Sequence, residues 1–376
     1  MKKNYISALA VLACVAVFCT ISGNSFHQMR TATEEIIPGE GVTEVRMLSD
    51  YFPDLAGTAG DTQIYVLQGE QEGGSCLILG GTHANELGGH MGAVLFVENA
   101  KVEAGTLYVI PRTNNSAFTH NDPQEGHPST VHITTDEGNV REFIHGSRAT
   151  NPVDQWPDPD VYVNYMGQSL SGSENRNINR TYPGKADGTL TEMMSYGIVQ
   201  LINTENIDVT VDLHEASPEY PVINALIAHE RAMNLASNVV VDMQMEGVQI
   251  SLEPSPTDLR GLTHRELGDH TDTLALLMEA PNPAQGRLRD RTDEALVLTG
   301  KSETYVKAGE IGQLYVPYDE NGWPIEVRCA RHVFGIERIL ANYSEMYEEP
   351  IIVTGMPSYD ELVKNGMGPY LNEPTT

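Results

Sequence analysis

Continuous apolar runs alternate with amphipathic stretches over most of the chain. Cys76-Leu77-Ile78-Leu79 runs into Gly80-Gly81, the pattern of a strand buried on both faces that ends in a turn. Leu87, Met91, Val94 and Leu95 follow at helical spacing and predict a helix reaching about residue 100. Residues 106–110 predict a further strand, stopped by Pro111, and the alternation over 62–67 predicts an edge strand. Later stretches predict a helix over 189–203, a strand over 207–213 that runs into His214, and a strand over 221–229. A helix over 230–246, a strand over 272–278 that runs into Glu279, and a helix over 331–343 complete the pattern. Strands alternating with helices predict an α/β domain, with a mostly parallel or mixed central sheet covered by helices on both faces.

Three stretches lack such periodicity. Residues 26–60 are polar, with one apolar patch over 45–51, and read as a lead-in. Residues 114–173 are rich in Asp, Gly, Pro, Asn and His, and read as an insertion near the site, long enough to cover it. Residues 346–376 read as a C-terminal tail, which leaves 61–345 as the main domain. At the other end, Met1-Lys2-Lys3 precedes an uncharged apolar run over 6–21. That is the pattern of a signal peptide or N-terminal anchor over 1–25. It predicts an exported protein, secreted or held on the outer side of the cytoplasmic membrane. Past this segment only Cys76 and Cys329 remain, so no disulfide framework is expected. The formal net charge of −29 argues against nucleic acid and anionic lipid as partners.

Chemistry gathers where apolar strands stop. His83 and Glu86 lie at the turn after the first buried strand, His214 ends a second, and Glu279 ends a third. Ionisable groups at the ends of central strands are costly unless they pair or bind something. In open α/β sheets such edges are where ligands bind. Two imidazoles and a carboxylate form a ligand set for a catalytic zinc with one open position. Glu279 is then placed to act as a general base. Asn179-Arg180 lies in a turn bounded by Pro183 and Gly184, and a guanidinium there can clamp a substrate carboxylate through two parallel bonds.

Four ordered segments carry a family resemblance: Gly80-Gly81-Thr82-His83-Ala84-Asn85-Glu86-Leu87, Asn177-Ile178-Asn179-Arg180-Thr181-Tyr182-Pro183-Gly184, Val211-Asp212-Leu213-His214, and Met278-Glu279-Ala280-Pro281-Asn282-Pro283-Ala284-Gln285-Gly286. Together they resemble the aspartoacylase/succinylglutamate desuccinylase branch of the zinc carboxypeptidase superfamily. The resemblance implies one Zn2+ per chain held by His83, Glu86 and His214. It implies Glu279 as base and acid, and Asn179 with Arg180 on the substrate carboxylate. It also implies a second pocket arginine, for which Arg112, Arg148, Arg176 and Arg265 all qualify. Ala84 and Asn177 stand where the family usually has Gly and Asp, the insertion is longer than that branch usually carries, and its characterised members are intracellular.

The expected activity is hydrolysis of an amide bond in a small molecule or peptide with a free carboxylate, of the N-acyl amino acid deacylase type. An exported zinc metallocarboxypeptidase acting on peptides such as cell-wall peptides is the alternative. A non-catalytic exported binding protein of the same fold is a second. Of the other polar residues, His90 reads as packing or support, and His264, Glu266 and His270 as a polar helix end. Glu215 is expected to point away from His214, and Trp156 to anchor the insertion.

Overall fold

In the computed structural model, residues 2–122, 127–289 and 291–374 are described. The strands in chain order are β1 (Glu44–Met47), β2 (Gln63–Gln68), β3 (Gln71–Leu79), β4 (Lys101–Ile110), β5 (Thr130–Thr134), β6 (Val140–Ile144), β7 (Val161–Val163), β8 (Ser169–Ser171), β9 (Val209–Ala216), β10 (Ala225–Ala228), β11 (Ser251–Pro254), β12 (Leu274–Pro281) and β13 (Ile352–Thr354). The helices are α1 (Lys2–Thr31), α2 (Leu87–Asn99), α3 (Leu190–Glu205), α4 (Met233–Met245), α5 (Thr263–His270), α6 (Glu294–Thr299), α7 (Glu303–Glu310), α8 (Ile325–Tyr347) and α9 (Tyr359–Asn365). The central sheet runs β1-β2-β4-β3-β9-β12-β10-β11, with β13 paired to β4. Strands β4, β3, β9 and β12 are mutually parallel, and antiparallel strands flank them. This is the mixed, helix-covered α/β sheet that the alternation of elements predicts.

Side-chain alternation along each strand divides the core in two. Ile78, Val211 and Met278 face α2, α4 and α8, while Leu77, Leu79 and Ile110 face α3. On β9, Val209, Val211 and Leu213 take the first face, so Asp212 and His214 take the second. The strand thus carries the histidine to the open end of the second face, and Glu215 falls on the first. Gly88 and Gly89 let α2 press against β9: a Cβ on Gly89 would lie 2.3 Å from the Leu213 carbonyl oxygen.

Several expectations are corrected. Residues 62–67 do not form an edge strand, because β1, from the stretch read as lead-in, pairs outside β2. The lead-in also sends Glu34 into the body, where it meets His90 Nε2 at 2.5 Å. The stretch read as a tail adds β13 to the sheet and packs α9 on α8. Lead-in and tail meet at a buried charge pair. Arg141 Nη1 donates to both Glu98 oxygens at 2.8 and 2.7 Å, and those oxygens also accept from the Ile37 and Asn372 backbone N–H groups. The insertion contains the hairpins β5–β6 and β7–β8. Trp156 does not anchor it, being 76% exposed.

A second buried pair joins α8 to β9. Arg328 Nη1 donates to Glu215 Oε1 and Oε2 at 2.8 and 3.0 Å, with both side chains fully buried. Glu215 Oε2 also accepts from Gly88 N–H and Asn282 Nδ2. Removing one partner strands the other as a buried charge, so Arg328→Ala is expected to cost about 3–5 kcal/mol in denaturant-unfolding stability.

Candidate metal and substrate site

His83, Glu86 and His214 converge, with their ligating atoms all within 4.8 Å of one another. Glu86 caps α2, where the helix dipole favours a negative charge. Its Oε1 lies 2.7 Å from His83 Nδ1 and its Oε2 lies 2.9 Å from His214 Nδ1. Glu86 Oε2 also accepts from the Glu215 backbone N–H at 2.9 Å. Each imidazole turns its other nitrogen outward: His83 Nε2 is 2.9 Å from Asn177 Oδ1, and His214 Nε2 is 2.8 Å from Asp212 Oδ2. Thr82 Oγ1 donates to the other Asp212 oxygen at 2.7 Å. With Nε2 protonated on both rings, both Nδ1 lone pairs face one point beside the Glu86 carboxylate. That is how metal-binding histidines are oriented by their outer partners, and the donor set fits zinc.

The electrostatics agree. Burial, reinforced by Arg148, lowers His83 to a pKa of about 4. Burial also opposes a charge on His214, but Asp212 and Glu86 outweigh it and hold that histidine well above its ordinary value. Glu86 is held well below the carboxylate range, because the two histidines outweigh its burial. The two carboxylates around His214 thus demand a positive charge, which a proton or a metal cation can supply.

Glu279 pairs in register with His214 across β12 and β9. Its Oε2 is buried without a hydrogen-bond partner among the described residues, and burial pushes its carboxyl up to about 8. Asn179 and Arg180 line the same cavity of about 690 Å³. Asn179 Oδ1 accepts from Thr263 N–H and Oγ1 at 2.8 and 3.0 Å, which fixes the amide and leaves its NH2 as a donor. Among the described residues, Arg180 is tied only to its neighbour's carbonyl at 2.6 Å and to Glu174 at 3.7 Å. The four arginine alternatives separate. Arg148 lines the cavity and donates to Glu86 Oε1 at 3.3 Å. Arg112 lies over Phe118, Arg176 binds Asp158, and Arg265 binds Glu230 and Asp269. Spacing could not single out Arg148, because the insertion that carries it has no periodic pattern.

His90 stands apart from the histidine–glutamate group, bound to the Pro111 carbonyl and Glu34. His264 does border the cavity, with Nδ1 held by Ser255 Oγ at 2.8 Å. In the insertion, His127 and His145 are buried against each other and His132 is half exposed beside Glu142 and Glu294. Cys76 is a buried free thiol, as expected of a core position.

No family model matches the chain, and no curated protein matches it. Solved structures do. A succinylglutamate desuccinylase from Silicibacter is 16% identical, with a TM-score of 0.42, over 76% of this chain and 61% of that one. Product-bound Cell Shape Determinant protein Csd4 from Helicobacter pylori is 13% identical, with a TM-score of 0.45, over 80% and 59%. A metallo-carboxypeptidase from Burkholderia cenocepacia is 12% identical, with a TM-score of 0.46, over 81% and 66%. The chain spans about three fifths of the length of the first two.

Two outcomes follow from this geometry. Asp212→Asn is expected to weaken zinc binding about 10–100-fold, measured by competition with a chromogenic chelator. In chelator-treated protein the unfolded chain loses the Glu279 proton near pH 4.5 and the folded chain near pH 8. Stability therefore falls as pH rises across that window. Glu279→Gln should remove this part of the slope in thermal melts taken from pH 4 to 9.

Proposed function

We propose that the protein is a zinc-dependent hydrolase that cleaves an amide bond in a carboxylate-bearing substrate, in the manner of an N-acyl amino acid deacylase. The observation that carries this reading is the meeting, in one cavity, of a His-Glu-His donor set with a buried, unpartnered carboxylate oxygen on Glu279. His83, Glu86 and His214 would hold the metal. When bound, zinc supplies Lewis-acid polarisation of the scissile carbonyl and acidifies water toward neutral pH.

The remaining work falls to this chain's side chains. Asn179 and Arg180 grip the substrate carboxylate and set the amide beside Glu279. Glu279 takes a proton from the attacking water and hands it to the leaving nitrogen, a transfer suited to a carboxyl tuned upward by burial. Arg148, beside Glu86 in the donor set, faces the oxygen on which negative charge develops. Asp212 and Asn177 keep the imidazoles in the tautomer that this geometry requires.

A peptide substrate is the second reading, favoured by the size of the cavity. A volume of about 690 Å³ exceeds the needs of a small acyl amino acid and suits a metallocarboxypeptidase. Export belongs to both readings. The most apolar window within residues 4–31 of α1 is unburied, as a signal sequence or anchor would be.

Zinc-reconstituted protein is expected to hydrolyse members of a panel of N-acyl amino acids and free-C-terminus peptides, and relative rates on the two halves of the panel separate the deacylase from the carboxypeptidase. Glu279→Gln should keep stoichiometric zinc by elemental analysis while losing about 10²–10⁴-fold in kcat. A variant with full zinc and full turnover would rule out this mechanism.

A further inference from the structure

One carboxylate on the cavity floor has no part in this chemistry. Across β12, β10 and β11, Leu277, Ile227 and Glu253 are direct register partners. Alternation puts Leu277 on the same face of β12 as Glu279, and Ala225 is the small partner opposite Glu279. Leu252 packs against the main core on the other face, so Glu253 faces the cavity, which it borders together with Ile227 and Leu277. Two strand spacings across and two residues along place the Glu253 backbone roughly 12 Å from that of Glu279. Val222, Pro254 and Leu262 add apolar wall.

Apart from Glu279, the other carboxylates on this cavity are engaged. The histidines hold Glu86, and Arg328 holds Glu215. Glu219 accepts from Tyr305 Oη at 2.8 Å and from the Arg287 backbone N–H at 2.6 Å. Among the described residues, neither a hydrogen bond nor an ion pair reaches the Glu253 carboxylate. Arg148 and Arg180 stand beside the donor set and Glu279. The cavity is therefore cationic where a substrate carboxylate would be held, apolar along its floor, and anionic beyond. That sequence complements a side chain with an apolar stem and a charged amino or guanidino end. The net charge of −29 adds a long-range field of the same sign.

We propose that the substrate is the amide of a basic amino acid, with its free carboxylate on Arg180 and Asn179 and its cationic side chain reaching along Leu277 and Ile227 to Glu253. This rests on the hydrolase reading above and specifies its substrate. A substrate with an acidic side chain would set two carboxylates against each other at Glu253.

The test compares kcat/KM of zinc-loaded protein on N-acyl-lysine, N-acyl-norleucine and N-acyl-glutamate, and on peptides ending in the same three residues. Norleucine keeps the stem and removes the charge. Lysine derivatives are expected to be preferred over norleucine by about tenfold or more. Glu253→Gln should abolish that preference by raising KM for the lysine derivatives toward the norleucine value, and Glu253→Arg should turn the preference toward glutamate. Turnover with equal rates on all three side chains, or a lysine preference that survives both substitutions, would overturn the assignment and leave the hydrolase reading standing. Failure to turn over any of the six compounds would overturn both.

Discussion

An ionised carboxylate with almost no access to water organises this molecule. Glu86 is 2% exposed, and a charge so placed is tolerable only if every lone pair has a partner. Two imidazoles, a backbone N–H and a guanidinium supply those partners, and they come from three parts of the chain. His83 comes from the turn after β3, His214 and the Glu215 amide from β9, and Arg148 from the insertion. The need to satisfy one side chain thus fixes the relative placement of three segments. Asp212 and Asn177 extend the requirement one layer outward, and Arg328 and Glu215 brace the far side of β9.

The buried Glu215–Arg328 ion pair behind the site does different work from the site itself. Glu215 touches the N-terminal turn of α2, the loop after β12 and α8 at once. It therefore ties the strand that carries His214 to the helix that carries Glu86 and to the strand that carries Glu279. A hydrophobic substitute could fill the same volume, but a nonpolar contact has no directional preference and would not fix the angles among these elements. Rigid support of this kind holds the three donor side chains in place.

How much of this could be read from the sequence depended on how local the signal was. His83, Glu86, His214 and Glu279 stand at the ends of apolar runs, so the strand pattern alone marks them as exceptional. Asn179 and Arg180 lie in a turn whose Pro and Gly are equally visible. Arg148 and Glu253 were not legible in this way. Arg148 owes its place to the folding of an aperiodic insertion, and Glu253 owes its own to a strand of four residues whose register with Ile227 is a tertiary fact. The same cause explains β1 and β13. Short edge strands with mixed polarity carry little intrinsic preference and are decided by the strand they pair with.

The Glu98–Arg141 pair gives the fold a temporal order. Its oxygens are completed by backbone groups at Ile37 and Asn372, more than three hundred positions apart in a chain of 376 residues. Until the later of these has emerged from synthesis, the buried carboxylate lacks one of its partners. The body cannot close around it at full strength before then. A chain built this way locks only when its C-terminal stretch is in place.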